Sequence, residues 1–216
     1  MRAIVVAGSP EVKRPPGLRP EPGDLVIGAD LGAAHCLHWG WRPNLVIGDL
    51  DSLPASAQAT LAAQGSPFII MPTRKDETDL ELALDHALQI GATTIVIVGV
   101  LGGRIDHTLA NLLLLTRPDL AALDVRMVDD NQTVRVLRPG HPLTIAGQPG
   151  DTLSLIPVGG AASGVTARHV EWPLHEATLP LGVARGVSNI LVGPAAELSI
   201  EHGLILVVHI EEKPNV

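Results

Sequence analysis

A chain of 216 residues, 46% of them hydrophobic, is long enough to bury a substantial core as one large domain or two small ones. Its 15 basic and 23 acidic residues give a formal charge of -8, which argues against a sequence-independent grip on nucleic acid or an anionic membrane. The single cysteine, Cys36, excludes an internal disulfide framework and fits a reducing compartment. The opening run MRAIVVAGSP is too short for a secretory signal, and Gly, Pro or charge interrupts every later apolar run before membrane-spanning length, so a cytoplasmic protein is expected.

Up to about residue 130, short β-branched runs alternate with helical patterns, which predicts a parallel α/β sheet. In chain order the expected strands are Ala3 to Ala7, Leu25 to Gly28, Leu45 to Gly48, Pro67 to Met71, Thr94 to Val98 and Val125 to Val128. Pro10 to Pro22 reads as a connecting loop. Leu80, Ala83, Leu84, Ala87 and Leu88 recur at helical spacing, as do Leu109, Leu112 and Leu113, and both faces are expected to pack on the sheet. From Pro139 the pattern changes to short alternating stretches punctuated by Pro and Gly: Thr152 to Ile156, Gly164 to Val170, Glu197 to Ile200 and Leu204 to Ile210. The expectation is therefore an α/β domain over 1–138 and a smaller β-sandwich over 139–216.

The strands of the first part lead into polar residues. Leu45 to Gly48 is followed by Asp49 and Asp51, which an extended backbone would direct to one face. Two carboxylates that close call for a cation, and hard oxygen ligands suit Mg²⁺. Asp30 follows another strand, as do Lys75, Asp76, Thr78 and Asp79, and the Gly102-Gly103-Arg104 turn with Asp106. In a parallel sheet these ends lie along one edge. Lys75 and Arg104 would serve the oxygens of a polyphosphate. Thr78 with Glu81 also fits a helix-capping box, and Asp106 an N-cap, so structure alone could account for some of them. No Walker loop and no Gly-x-Gly-x-x-Gly fingerprint is present. His35, Cys36 and His38 lack a clear fourth zinc ligand.

Five ordered stretches resemble the thiamine pyrophosphokinase family: Ala29-Asp30-Leu31-Gly32-Ala33-Ala34, Pro43 to Ser52, Lys75-Asp76-Glu77-Thr78-Asp79, Gly102 to Thr108, and Arg185-Gly186-Val187-Ser188-Asn189. The resemblance implies an N-terminal nucleotide domain, a C-terminal β-sandwich, and a homodimer with its clefts at the subunit interface. It implies transfer of diphosphate from ATP to thiamine, with Asp49, Asp51 and Asp79 holding Mg²⁺ in the catalytic site. Asp30, Thr78, Arg104 and Asp106 would line the ATP site beside Lys75 and Asp76, and Ser188 and Asn189 would contact thiamine. Two departures stand out. Leu31 occupies a position where the family usually has Gly, and Ile190, Leu191 and Val192 follow where animal members carry an aromatic residue. Trp172 could supply an aromatic surface, although a core position is the expected one. A diphosphokinase for another alcohol, such as a hydroxymethyl-pterin, and a non-catalytic nucleotide- or thiamine-binding regulator are the alternative readings.

Overall fold

A computed structural model describes residues 1–10 and 12–212 of the chain. They form two compact units, Met1–Asp130 and Asn131–Val216. The division falls eight residues before the expected 138/139 boundary, because Gln132–Leu137 is a strand that pairs antiparallel with His202–Ile210 and so joins the second unit.

In the first unit β1 (Arg2–Val6), β2 (Leu25–Ala29), β3 (Leu45–Gly48), β4 (Phe68–Ile70), β5 (Thr94–Val98) and β6 (Asp124–Asp129) make a parallel sheet in the order β4-β3-β2-β1-β5-β6. After the first residue, β1, β2 and β5 are buried at every position, as expected of Val- and Ile-rich strands covered on both faces. Ile4, Val6 and Val26 pack with Cys36 of helix α1 (Gly32–His38), and Val46 packs with Leu61 of α2 (Ala55–Ala63). Each large apolar side chain so buried contributes roughly 1.5–3 kcal/mol. Helix α3 (Asp79–Gln89) buries Leu80, Ala83, Leu84 and Ala87, the face its spacing predicts, and the Thr78 hydroxyl caps it by accepting from the N–H of Glu81 at 3.2 Å.

Helix α4 (Ile105–Leu114) departs from expectation. None of its residues is fully buried, and Ile105, Leu109 and Leu113 point to solvent with exposures of 77%, 56% and 51%. A run of four leucines, Leu112 to Leu115, carries no face information, so periodicity could not say which side turns inward. Its N-cap is Arg104; Asp106 lies two residues further on, in the first turn, and accepts from the N–H of His107.

The second unit contains β7 (Gln132–Leu137), β8 (Leu143–Ala146), β9 (Thr152–Arg168), β10 (Leu174–Leu179), β11 (Asn189–Ile190), β12 (Ala195–Ser199) and β13 (His202–Ile210). Strand β9 replaces the two separate strands expected over residues 152–170. Its first part pairs with β13 and β11, and its second with β10 and β12. Gly159 and Gly164, at φ 73° and 65°, bend this strand without ending it. Leu153, Leu155, Val165, Leu179, Leu198, Ile205 and Val207 belong to one apolar cluster that draws on both parts.

Candidate active site

The strand order of the first unit reverses direction between β1 and β5, and in such sheets a crevice opens beyond the strands' carboxyl ends at that point. A cleft of about 660 Å³ lies there, lined by residues that follow β1, β2, β3, β4 and β5. Asp30, Asp49, Asp51, Lys75, Thr78, Asp79 and Arg104 all line it; Asp76 and Asp106 do not. The loop Gly8-Ser9-Pro10 after β1 also forms part of the wall, together with His107 and Asn111. Sequence reasoning singled out neither the Gly8-Ser9-Pro10 loop nor Asn111, although for the loop a strand end followed by Gly-Ser-Pro next to the switch point was the available signal; His107 lies within the Gly102 to Thr108 stretch.

Asp30, Asp49 and Asp79 each bring one carboxylate oxygen to within 4.8 Å of the others. Asp51 was expected in this trio, but it stands outside the group, exposed, with Ser52 donating to it at 3.0 Å. The cause is local. Strand β3 ends at Gly48, and Leu50 takes φ 65°, so the alternation of an extended chain no longer applies from Asp49 to Asp51. The N–H of Asp51 instead folds back onto Asp49 Oδ1 at 3.2 Å. A bulky residue at positive φ carries strain of order 1–3 kcal/mol, which such a turn stores beside the carboxylates.

Asp30 reaches the cluster from the end of β2, where its own φ is 46° and its N–H donates to Ile47 at 2.9 Å. The family's usual glycine is not needed at Leu31, whose φ and ψ of -53° and -25° are ordinary helical values. Gly32 makes the close approach instead, since a Cβ there would stand 1.8 Å from the carbonyl oxygen of Val6.

Burial pushes the Asp30 carboxyl above its ordinary range, and the neighbouring charges of Asp79, Asp51 and Asp49 push the same way. Asp49 is shifted down, first by the hydrogen bond from the N–H of Asp51 and further by Lys75. Lys75 Nζ lies 3.0 Å from Asp79 Oδ1 and 4.0 Å from Asp49 Oδ2. Asp30 Oδ1 and Asp79 Oδ1 are buried and have no hydrogen-bond donor; Lys75 is close to the latter as an ion pair, without hydrogen-bond alignment. Buried carboxylate oxygens left without donors are costly, and a hard divalent cation is the ligand such oxygens suit. At the cleft mouth Asp106 holds the Arg104 guanidinium through two hydrogen bonds, of 3.1 and 2.5 Å, and Arg104 in turn holds the Asp106 carboxyl down at about 2.

In the second unit Ser188 is exposed at φ 61°, and its N–H donates to Ser154 Oγ at 3.0 Å. Asn189 is buried and its carboxamide is already engaged, accepting from Trp172 N–H at 3.1 Å and donating to Trp172 C=O at 2.7 Å. Trp172 itself is 56% exposed, not a core residue, because its backbone is fixed by Asn189 while its ring faces outward. Gly186 is needed for close packing, since a Cβ there would meet the Leu155 carbonyl at 2.3 Å. Cys36 lies in the core with its thiol pushed up to about 12 by burial, and His35 Nε2 meets the Ser9 carbonyl at 2.9 Å. Neither belongs to a metal-ligand cluster among the described residues.

Residues 21–127 match the family model described as thiamin pyrophosphokinase, catalytic domain, and residues 141–205 match thiamin pyrophosphokinase, vitamin B1 binding domain. The thiamine pyrophosphokinase of Bacillus subtilis (strain 168) is 29% identical over 184 residues, covering 85% of this chain and 86% of that protein. A crystal structure of the Bacillus subtilis thiamine pyrophosphokinase superposes with a TM-score of 0.88 at 28% identity, covering 99% of this chain and 100% of that one. For a thiamin pyrophosphokinase family protein from Enterococcus faecalis the TM-score is 0.84 at 30% identity, with 99% and 100% covered. The two matched models, which together span most of the chain in the order of its two units, place this protein in the thiamine pyrophosphokinase family.

Proposed function

We propose that this protein transfers the diphosphate of ATP to the hydroxyethyl group of thiamine, giving thiamine diphosphate and AMP. The observation that carries the reading is the convergence of Asp30, Asp49 and Asp79 within 4.8 Å, with Asp30 Oδ1 and Asp79 Oδ1 buried and without a hydrogen bond, in the cleft that also holds Lys75 and Arg104. Mg²⁺ fits this oxygen set, with Asp51 at its rim, and would supply charge neutralisation to the phosphates.

The chain's own residues position and neutralise. Lys75 and Arg104 bear on the phosphate oxygens, and the loops after β1 and β5 wall the nucleotide. Thr78 starts α3 at the same spot, where helix N–H groups favour anions, with Asp76 next to it outside the wall. Asp106 acts by orienting Arg104. The thiamine hydroxyl oxygen attacks the β-phosphorus and its proton passes to a carboxylate of the cleft, while the bond from that phosphorus to the α,β-bridging oxygen breaks and AMP departs with that oxygen. Holding attacker and phosphorus in line supplies much of the rate, as in other phosphoryl transfers.

The first unit is the ATP domain in this reading and the second the thiamine-binding and dimerisation domain. A β-sandwich in the second unit is supported by the single apolar cluster fed by both parts of β9. Ser188 contacts thiamine, and Asn189 acts through Trp172, whose exposed ring suits a cationic heteroaromatic ligand. The protein works as a cytoplasmic homodimer. The outward stripe Ile105, Leu109 and Leu113 supports a second copy as the cover of α4, and no helix among the described residues is long and apolar enough to cross a membrane.

The test is AMP and thiamine diphosphate production from purified protein with ATP, Mg²⁺ and thiamine. Asp49→Asn is expected to abolish both products while leaving the fold intact. AMP release with hydroxymethyl-dihydropterin but not thiamine, or nucleotide binding without AMP, would overturn the reading.

A further inference from the structure

We propose that Lys75 is a built-in counter-cation: it competes with the divalent ion for Asp79 and Asp49, and gives these carboxylates up when the phosphates of ATP offer it new partners. The proposal rests on the diphosphate-transfer reading above. Its basis is that one carboxylate is claimed twice. Asp79 Oδ1 is 3.0 Å from Lys75 Nζ, and Asp79 also belongs to the trio whose oxygens converge within 4.8 Å. The second carboxylate of that trio, Asp49, lies 4.0 Å from the same ammonium.

A divalent ion held at roughly 2.1 Å by the oxygens of those carboxylates would share them with the ammonium. Like charges that close repel in a partly desolvated cleft, so the Lys75–Asp79 contact and metal occupancy weaken each other. The lysine is held in the cleft and not dissolved in solvent, since its side chain is only 11% exposed. It nonetheless has a route out. It precedes α3 by four residues, on a four-carbon stem whose ammonium can exchange partners without the fixed fork of an arginine.

Two consequences follow from linkage. In the absence of nucleotide Lys75 partly neutralises the trio and weakens its hold on a metal. Once triphosphate oxygens take the ammonium, the carboxylates are released to the metal, so cation and nucleotide assist one another. The lysine thereby makes the site selective for a metal that arrives with its nucleotide.

The direct test is a titration of the whole protein with Mn²⁺ alone, read by the loss of the free-ion electron paramagnetic resonance signal. Lys75→Met is expected to bind Mn²⁺ about tenfold or more tightly than the wild type, because a cation has been removed from contact distance. Equal or weaker affinity overturns the proposal. A second measurement needs no variant. Lys75 is one of three lysines, with Lys13 and Lys213, so its acetylation by acetic anhydride can be followed by mass spectrometry. Mn²⁺ alone is expected to raise its reactivity, and further addition of α,β-methylene ATP to lower it again; reactivity indifferent to Mn²⁺ overturns the proposal. Failure of the underlying reading is separately visible, as a wild-type protein that makes no AMP from ATP and thiamine.

Discussion

Asn189 grips Trp172 at both its backbone N–H and its carbonyl, at 3.1 and 2.7 Å, so a buried carboxamide fixes a segment whose indole ring faces solvent. The two residues should therefore fail differently. Trp172→Ala is expected to raise the KM for thiamine about tenfold with little change in melting temperature, since an exposed ring contributes little to stability but a stacked cation–aromatic contact is worth about 1 kcal/mol or more. Asn189→Ala removes a partner from the N–H and C=O of Trp172 and from the N–H of Ile190, and is expected to cost about 2 kcal/mol of stability as well. Steady-state kinetics and thermal melts of both variants check this. An unchanged KM in Trp172→Ala removes the ring from the substrate site.

Gly48 sits where β3 meets the carboxylates. Its φ is 149°, and a Cβ there would come within 3.1 Å of Asp30 Cβ and 3.2 Å of Asp79 Cγ. Gly48→Ala is thus strained twice, by backbone and by contact, at an expected cost of about 1–3 kcal/mol. It should also spread the trio and weaken Mn²⁺ binding and AMP formation together. Normal metal affinity in a destabilised Gly48→Ala protein would show that the trio's geometry is not what holds the ion.

The stripe Ile105, Leu109 and Leu113 offers one turn-spaced apolar surface on α4. Leu109→Asp should not disturb folding, because the side chain already meets solvent in the single chain. It is expected to shift sedimentation from dimer to monomer at micromolar concentration. A variant that sediments as the wild type does removes α4 from the interface.

Part of the acid sensitivity should originate at Asp151 in the second unit. Burial alone would raise the Asp151 carboxyl, but the N–H of Gln148, the His209 ring and the N–H of Glu212, at 2.9, 2.9 and 3.0 Å, together bring it below the ordinary range. A carboxyl lowered on folding contributes stability at pH values above its unfolded pKa of roughly 3.9, and that contribution is lost as pH falls through the folded value. Asp151→Asn, which keeps the shape and removes the charge, is expected to cost about 2 kcal/mol at pH 7. Urea melts of both proteins should converge as the pH drops below roughly 4. A gap that persists undiminished into acid would assign the loss to packing.

What was legible in the sequence follows from how each signal is coded. Val- and Ile-rich runs of four or five residues located β1, β2, β3 and β5 to within a residue or two, because strands covered on both faces need continuous apolar sequence. The polar residues after those strands marked the cleft edge, and Thr78 announced the start of α3 through its capping chemistry. The acidic cluster and its family likeness were likewise matters of residue type and order.

Only the tertiary structure decided which carboxylates meet. Asp49 and Asp51 are neighbours in sequence, yet a left-handed Leu50 turns one away, and Asp30, nineteen positions before Asp49, takes its place through strand pairing of β2 with β3. The outward face of α4, the single bent β9 and the solvent-facing ring of Trp172 were equally hidden. Each depends on what the rest of the chain brings alongside, and a linear pattern records the chemistry of a residue but not its neighbours across the fold.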